Sequence, residues 1–440
     1  MQVVHFFPPD AIAGVERYTQ RLAAELVRSG DTVSIVTRRD SSTARPERSC
    51  ERLRDGTAVY RFAGGDADEY FFLRHHEHLE QLFTAALVEV APDVVHVNHL
   101  ARLSPRFLQI ARRHGAAVVL TLHDYFFACP LAHLLKPSGE FCHGPDGGRE
   151  CARTCYAHEG ETASLRWGFR AAYFRRLLAL ADRIIAPSRY LASFFENYLP
   201  GSGRIDVIPN GVPFDVDARP RQRFLPGRPR GQLRLAFLGI VTPHKGVHVI
   251  LDALAVAGLE NVDLVAFGRV PSYERAYCRE IRQKADAISG LRFRMYGSYQ
   301  SHELDFLLSD LDCVVVPSQL PENYPLVTQE SLARGIPIVA SRLGGIPEIV
   351  KEGVNGYTFD HRRPDELAAI LRRLATEEEL LDRLHEGALA TPVMTVSTYT
   401  QKVRRIYAEA IEAACQRKPN REDTAELSFL HNALLQLQLG

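Results

Sequence analysis

The stretch "CVVVPSQLPENYPLVTQESLARGIPIVAS" (313–341) reads as strand, loop, short helix and strand in succession. "CVVVPS" and "IPIVAS" are continuous β-branched runs, the pattern of strands covered on both faces in a parallel sheet. Between them, Pro325 suits a first helical turn, where its missing N–H would be unpaired anyway, and Gly335 suits a C-terminal cap. Two glutamates stand eight positions apart, Glu322 in the loop and Glu330 a turn into the helix.

The same strand–helix alternation runs along the whole chain. Apolar runs recur at 2–7, 32–37, 93–99, 116–123, 183–188 and 206–210, then at 233–239, 262–268, 291–297, 313–318 and 336–341. With helical patterns between them they make βαβ units, and each half reads as a doubly wound α/β domain. The chain of 440 residues exceeds what one core supports. "DARPRQRFLPGRPRGQ" (217–232), rich in Pro, Gly and Arg, reads as a linker. The expected layout is a domain at 1–216, the linker at 217–232, a second domain at 233–395, a helix at 396–416 packing back on the first domain, and a tail at 417–440. Ligands of such a pair are expected in a cleft at the carboxyl ends of the strands.

Lys+Arg and Asp+Glu both total 53, so nothing in the overall charge favours nucleic acid as a partner. "MQVVHFFPPD" enters a strand at once, and no apolar run is long enough to span a bilayer. The expected location is therefore the cytoplasm, with the eight cysteines as thiols or metal ligands rather than structural disulfides.

The loops after the strands carry the candidate chemistry. The N–H groups of Asn323, Tyr324, Pro325's neighbours, Leu326 and Val327 lie near a helix start, which suits a diphosphate. Glu330 is then placed to accept hydrogen bonds from a ribose diol, and Glu322 from sugar hydroxyls; the alternative makes both ordinary solvated acids at a helix end. The next loop holds Gly344 and Gly345, which let backbone approach a ligand. Lys245, in "GIVTPHKGVHVI" (239–250), can neutralise a phosphate or be a plain surface lysine. In the first half, Gly14 precedes a helix, and His123 with Asp124 ends a strand, where such a pair faces a ligand or is satisfied within the core.

Together these loops resemble family four of the retaining, nucleotide-sugar-dependent glycosyltransferases, whose fold is GT-B. Glu322 and Glu330 meet that family's E-x7-E pattern within 321–359, and "AGVERYTQRLAAELVRSG" (13–30) approaches its N-terminal signature. "ADRIIAPSRYL" (181–191) and "VIPNGV" (207–212) also look like the family. The resemblance implies a donor ribose on Glu330, a donor sugar beside Glu322 and His123, and a diphosphate on Lys245. It implies a nucleotide-diphosphate sugar donor, a glycan or lipid-linked acceptor, and no metal requirement at the donor site. Two positions depart from the family pattern: Ile240 stands where an arginine is usual, and Ala13 where the first glycine of a pair is usual. Competing readings are a GT-B nucleotide-sugar epimerase or hydrolase and an inactive nucleotide-sugar-binding scaffold, which Ile240 would favour. A dinucleotide-dependent oxidoreductase is disfavoured because neither half opens with a G-x-G-x-x-G loop.

Two further segments stand outside that pattern. Cys129, Cys142, Cys151 and Cys155 cluster in one loop-like stretch, with His133 and His143 nearby. Four thiolates suit a structural zinc ion; an iron–sulfur cluster and plain packed thiols are the other readings. "SLRWGFRAAYFRRLLAL" (164–180) is amphipathic and Arg-rich, and holds the single tryptophan. It is expected either to lie on an anionic membrane surface or to pack against the sheet.

Overall fold

The computed structural model describes residues 1–11, 13–39, 47–64, 76–199, 205–214, 232–377, 379–417 and 421–437, with the side chains of 421–424 excepted. The expected linker lies outside the described residues apart from position 232. The chain divides into two compact units, one of Met1–Pro209 with Val396–Gly440, the other Asn210–Thr395.

The first unit holds eight strands: β1 (Gln2–Val4), β2 (Ser34–Arg38), β3 (Glu47–Arg52), β4 (Ala58–Ala63), β5 (Val94–Val97), β6 (Ala117–Thr121), β7 (Arg183–Ala186) and β8 (Asp206–Val207). Their order in the sheet is β3-β4-β2-β1-β5-β6-β7-β8, parallel except where β3 pairs antiparallel with β4. The central strands are inaccessible on both faces, as Val3, Val36, Val97 and Val119 show. That burial is why they read as unbroken apolar runs. The helix Gly14–Arg28 turns Tyr18, Leu22, Ala23 and Leu26 inward at helical spacing. The helix Val396–Cys415 packs against it and against β6, with Tyr18 and Tyr399 joined hydroxyl to hydroxyl.

The second unit holds β9 (Leu233–Leu238), β10 (Val262–Phe267), β11 (Leu291–Gly297), β12 (Cys313–Val316), β13 (Ile338–Ser341) and β14 (Gly356–Phe359). The order β11-β10-β9-β12-β13-β14 is parallel throughout. Order reverses between β9 and β12, the switch point where ligands of open α/β sheets bind. Both units are Rossmann-like.

The helix Ala163–Leu178 settles the amphipathic segment. Trp167 is 1% exposed, stacks on Tyr156 with ring centroids 3.8 Å apart, and donates its indole N–H to Glu159 at 3.1 Å. Tyr173 and Phe174 are likewise buried. The aromatic side expected at a membrane is therefore core. The helix Arg421–Gln436 lies against the same helix, with Phe429 meeting Phe169 and Glu426 pairing with Arg176, so the tail docks as a helix. Among the described residues no helix is long and apolar enough to cross a membrane.

Candidate active site

In the second unit, three loops meet where β9, β12 and β13 end. Gly246, at φ +80°, follows the turn Pro243–Lys245; a Cβ there would stand 2.1 Å from the Pro317 carbonyl oxygen. Only glycine permits both that conformation and that approach. The approach lets Gln319 N–H donate to the His244 carbonyl at 2.8 Å. Gly344, at φ +65°, approaches the Glu322 backbone in the same way, and Gly345 N–H donates to the Glu322 carbonyl at 2.7 Å.

This backbone frame brings Lys245 and Glu322 together. Lys245 Nζ lies 2.6 Å from Glu322 Oε1, and Ser318 Oγ donates to the same oxygen at 2.6 Å. Burial pushes the Glu322 carboxyl up, but the Lys245 ammonium, the two hydrogen bonds and the nearby His244 outweigh it. The net effect holds Glu322 below the ordinary carboxylate value. The cluster thus presents one fixed cation beside one ionised acid at the switch point. Ile240, partly exposed, sits in the β9 loop without a charge to add.

Glu330 lies on the helix Leu326–Leu332 and is buried. The helix starts one residue later than Pro325 suggests, with Pro325 at its N-cap position. It is two turns long, so its dipole is a modest contribution. Asn323 through Val327 are partly buried, and Tyr324 and Val327 also pack against the core around Leu332 and Ile346.

The first unit gathers a different set at its strand ends. His5 follows β1, His99 follows β5, and His123 with Asp124 follows β6. Glu16, in the first turn of Gly14–Arg28, accepts from Ala13 N–H at 3.0 Å and lies 3.2 Å from His5 Nε2. His99 Nε2 lies 2.9 Å from Asp124 Oδ2, while its Nδ1 accepts from Ala101 N–H. The His5 and His99 rings are 4.4 Å apart, so two acid–histidine pairs stand side by side.

Burial governs the electrostatics of this set. It pushes His123 down to about 3 and His5 well below its ordinary value, and it raises Glu16. Asp124 is also pushed up by burial, but His99 brings it below the ordinary range. His123, edge-on to Tyr18 at 4.5 Å, is therefore a neutral imidazole near neutral pH, able to hydrogen-bond but not to deliver a proton as an acid. Gly14 is exposed, with open space where a Cβ would point.

The sequence reading singled out His123 and Gly14 but gave no role to His5, Glu16 or His99. A histidine within or ending each of the three apolar runs 2–7, 93–99 and 116–123 was the available signal.

The cysteine cluster is not arranged as a ready metal centre. Among the described residues, no three His, Cys, Asp or Glu groups, Cys129, Cys142, Cys151 and Cys155 included, stand close enough as they are to hold a metal ion. All four are free thiols. His133 and His143 are exposed.

A family profile described as Glycosyltransferase Family 4 matches residues 12–216, and one described as Glycosyl transferases group 1 matches residues 218–390. Among curated proteins, the lipopolysaccharide 1,2-N-acetylglucosaminetransferase of Salmonella typhimurium is 30% identical over 187 residues, 40% of this chain and about half (48%) of that protein's length. The D-inositol 3-phosphate glycosyltransferase 1 of Catenulispora acidiphila is 27% identical over 91% of both chains. Among solved structures, Anabaena HepE in complex with UDP and glucose superposes with a TM-score of 0.63 at 18% identity, covering 92% of this chain and 98% of HepE. The sucrose-phosphate synthase of Thermosynechococcus elongatus gives 0.67 at 16% identity, covering 94% of this chain and 98% of its own. With two Rossmann-like units and profiles spanning both halves, the chain belongs to the family-four glycosyltransferases of GT-B fold.

Proposed function

We propose that this chain is a retaining glycosyltransferase that passes a sugar from a nucleotide-diphosphate sugar to a glycan, glycolipid or small hydroxylated acceptor. The observation that carries the reading is the Lys245–Glu322–Ser318 cluster at the end of β9 and β12. In this reading the diphosphate engages Lys245 and the backbone N–H groups of Asn323, Tyr324, Leu326 and Val327. Glu330 takes the ribose, and Glu322 takes a hydroxyl of the donor sugar.

The bond from the anomeric carbon to the diphosphate breaks as the bond to the acceptor oxygen forms. The acceptor's hydroxyl proton goes to the departing diphosphate, whose basicity rises as it leaves. Lys245 stabilises that growing charge, and an electrostatic effect of this kind accelerates because it is stronger in the transition state than before it. His123, neutral and donor-capable, orients a sugar hydroxyl. No metal is required at the donor site, because one ammonium and several N–H groups meet the diphosphate.

Relatives with UDP or UDP-glucose in their solved structures make uridine donors the first to try. The test is a nucleotide-sugar panel screened by thermal stabilisation, followed by mass spectrometry of products with lipid-linked and free-sugar acceptors. A glycosylated acceptor with retained anomeric configuration supports the proposal. Free sugar or an epimer with every acceptor would replace it with the hydrolase or epimerase reading.

A further inference from the structure

We infer that Cys129, Cys142, Cys151 and Cys155 form a tetrathiolate site for one zinc ion, which closes on the metal and braces the segment that follows His123 and Asp124. The inference is independent of the glycosyl-transfer reading.

Between β6 and the helix Ala163–Leu178 the chain forms neither a strand nor an α-helix. A connection of this length without regular structure needs something to hold it. Three non-glycine residues here adopt left-handed backbone, Ala132, Leu134 and Asp146, and such residues persist only where the surroundings fix them.

All four cysteines line one small cavity inside this segment, with Leu134 and Tyr156. They come from separate pieces of chain. Cys129 N–H closes a turn on the Tyr125 carbonyl. Cys142 follows the bridge between Leu135 and Phe141, and its thiol lies 3.3 Å from the Gly144 carbonyl. Cys151 and Cys155 end a single π turn, closed by Tyr156 N–H on the Cys151 carbonyl at 2.9 Å. Residues four apart on so wide a turn come close to the same side. Three of the sulfurs are buried and one is half-buried.

The charge around the cavity matches the occupant. Four thiolates on zinc carry two net negative charges, which burial makes costly without nearby cations. Arg170 is 1% exposed, donates to the Phe126 and Ala128 carbonyls, and lies within electrostatic reach of Cys129 and Cys151. Lys136 stands similarly near Cys142. Binding releases four thiol protons as four sulfur–zinc bonds form, with no change of oxidation state.

The consequence reaches the first unit's strand-end set. Asp124 accepts from Phe126 N–H at 2.8 Å, and Arg170 grips the Phe126 carbonyl, so the stretch from 124 to 129 is tied to the thiol cavity.

The full chain, expressed without added metal and purified without chelating resin, is analysed for zinc, iron and acid-labile sulfide. About one equivalent of zinc is expected. It should be displaced by excess chelator with a fall in Tm that added zinc reverses, and it should be absent from Cys142→Ser/Cys155→Ser. Should that variant not fold, cobalt exchange into the wild-type chain keeps the test open, since four thiolates give intense near-ultraviolet sulfur-to-cobalt bands. Zinc-free protein that gains neither zinc nor stability on titration overturns the inference. So does iron with sulfide, or an intact mass showing disulfides among the four.

Discussion

The two units end their strands differently. The second unit ends them in tight glycine turns that clamp one lysine against one glutamate. The first unit ends them in histidines, which meet acids from other elements: His5 with Glu16 and His99 with Asp124. In the second, backbone geometry makes the site and a few side chains finish it. In the first, side chains from strands far apart in sequence make it, and burial sets their protonation. A backbone-built site suits a ligand part common to many substrates, such as a diphosphate. A side-chain-built site is where specificity is easily varied.

The largest effect is expected at Lys245. Lys245→Ala should lower kcat on the order of 10²–10³-fold, the cost of removing one preorganised group on a growing charge. Ile240, where an arginine is usual in the family pattern, adds no charge there. Steady-state kinetics with the donor found by screening measures it, and a fall below tenfold would mean that other groups carry the diphosphate.

Next comes the frame itself. Gly246→Ala forces a side chain into φ +80° and toward an oxygen 2.1 Å away. It should destabilise the protein by about 1–3 kcal/mol, the usual cost of an enforced backbone outlier, read as a lowered denaturation midpoint. Gly14→Ala, in open space, should change the midpoint little. Equal effects would erase the contrast between a clamped loop and an open one.

Acid should separate the units. His96 and His123 are pushed down to about 3 by burial, and His5 is also well below its ordinary value, so all three stay neutral in the folded chain. The unfolded chain takes up protons below about 6.5, so this contribution is complete above that pH and drains away as pH falls toward the folded values. Glu16 and Asp182, both raised by burial, act in the opposite sense and offset part of it. In the second unit burial lowers His248 and His361 by less than it lowers His96 and His123, and Glu322 is held low, so its contribution is lost only at more acidic pH, below the ordinary glutamate value. Trp167, the single tryptophan, is buried in the first unit. Its fluorescence should therefore change at higher pH than the far-ultraviolet circular dichroism of the whole chain. Coincident transitions would show that the histidines do not set the first unit's acid limit.

The smallest effect is at Glu330. Ribose binding is made equally before and during reaction, so Glu330→Ala should raise donor KM about tenfold and leave kcat nearly unchanged. A kcat loss matching that of Lys245→Ala would mean that Glu330 acts in the chemistry.

The contrast also explains what could be read from residues alone. Strands β9, β10, β12 and β13 are buried on both faces, so their apolar runs announce them. β3, "ERSCER", is mostly exposed and pairs antiparallel at the sheet edge, so no apolar run marks it. β4 was hidden by Arg61, which is buried but satisfied by Asp10, Glu51 and the Pro8 carbonyl. β14, "GYTF", has no continuous apolar run to mark it. The Lys245–Glu322 pair joins loops 77 positions apart, and a glycine at each close approach left a local trace of it. His5 and His99 left no such trace, because their partners are fixed by tertiary packing. The Arg-rich helix was open to two readings, membrane surface or packed inward, and Trp167, Tyr173 and Phe174 are buried.

Glu322 tests the account most directly, because it is both the partner of Lys245 in the free protein and the proposed sugar contact. Glu322→Gln keeps the shape and removes the charge. Donor Kd, measured by calorimetry, should stay within about threefold, since Lys245 remains to meet the diphosphate. On the same protein, kcat should fall on the order of 10²-fold. Unchanged kcat with unchanged donor affinity would contradict the assignment of this cluster as the place where the sugar is transferred.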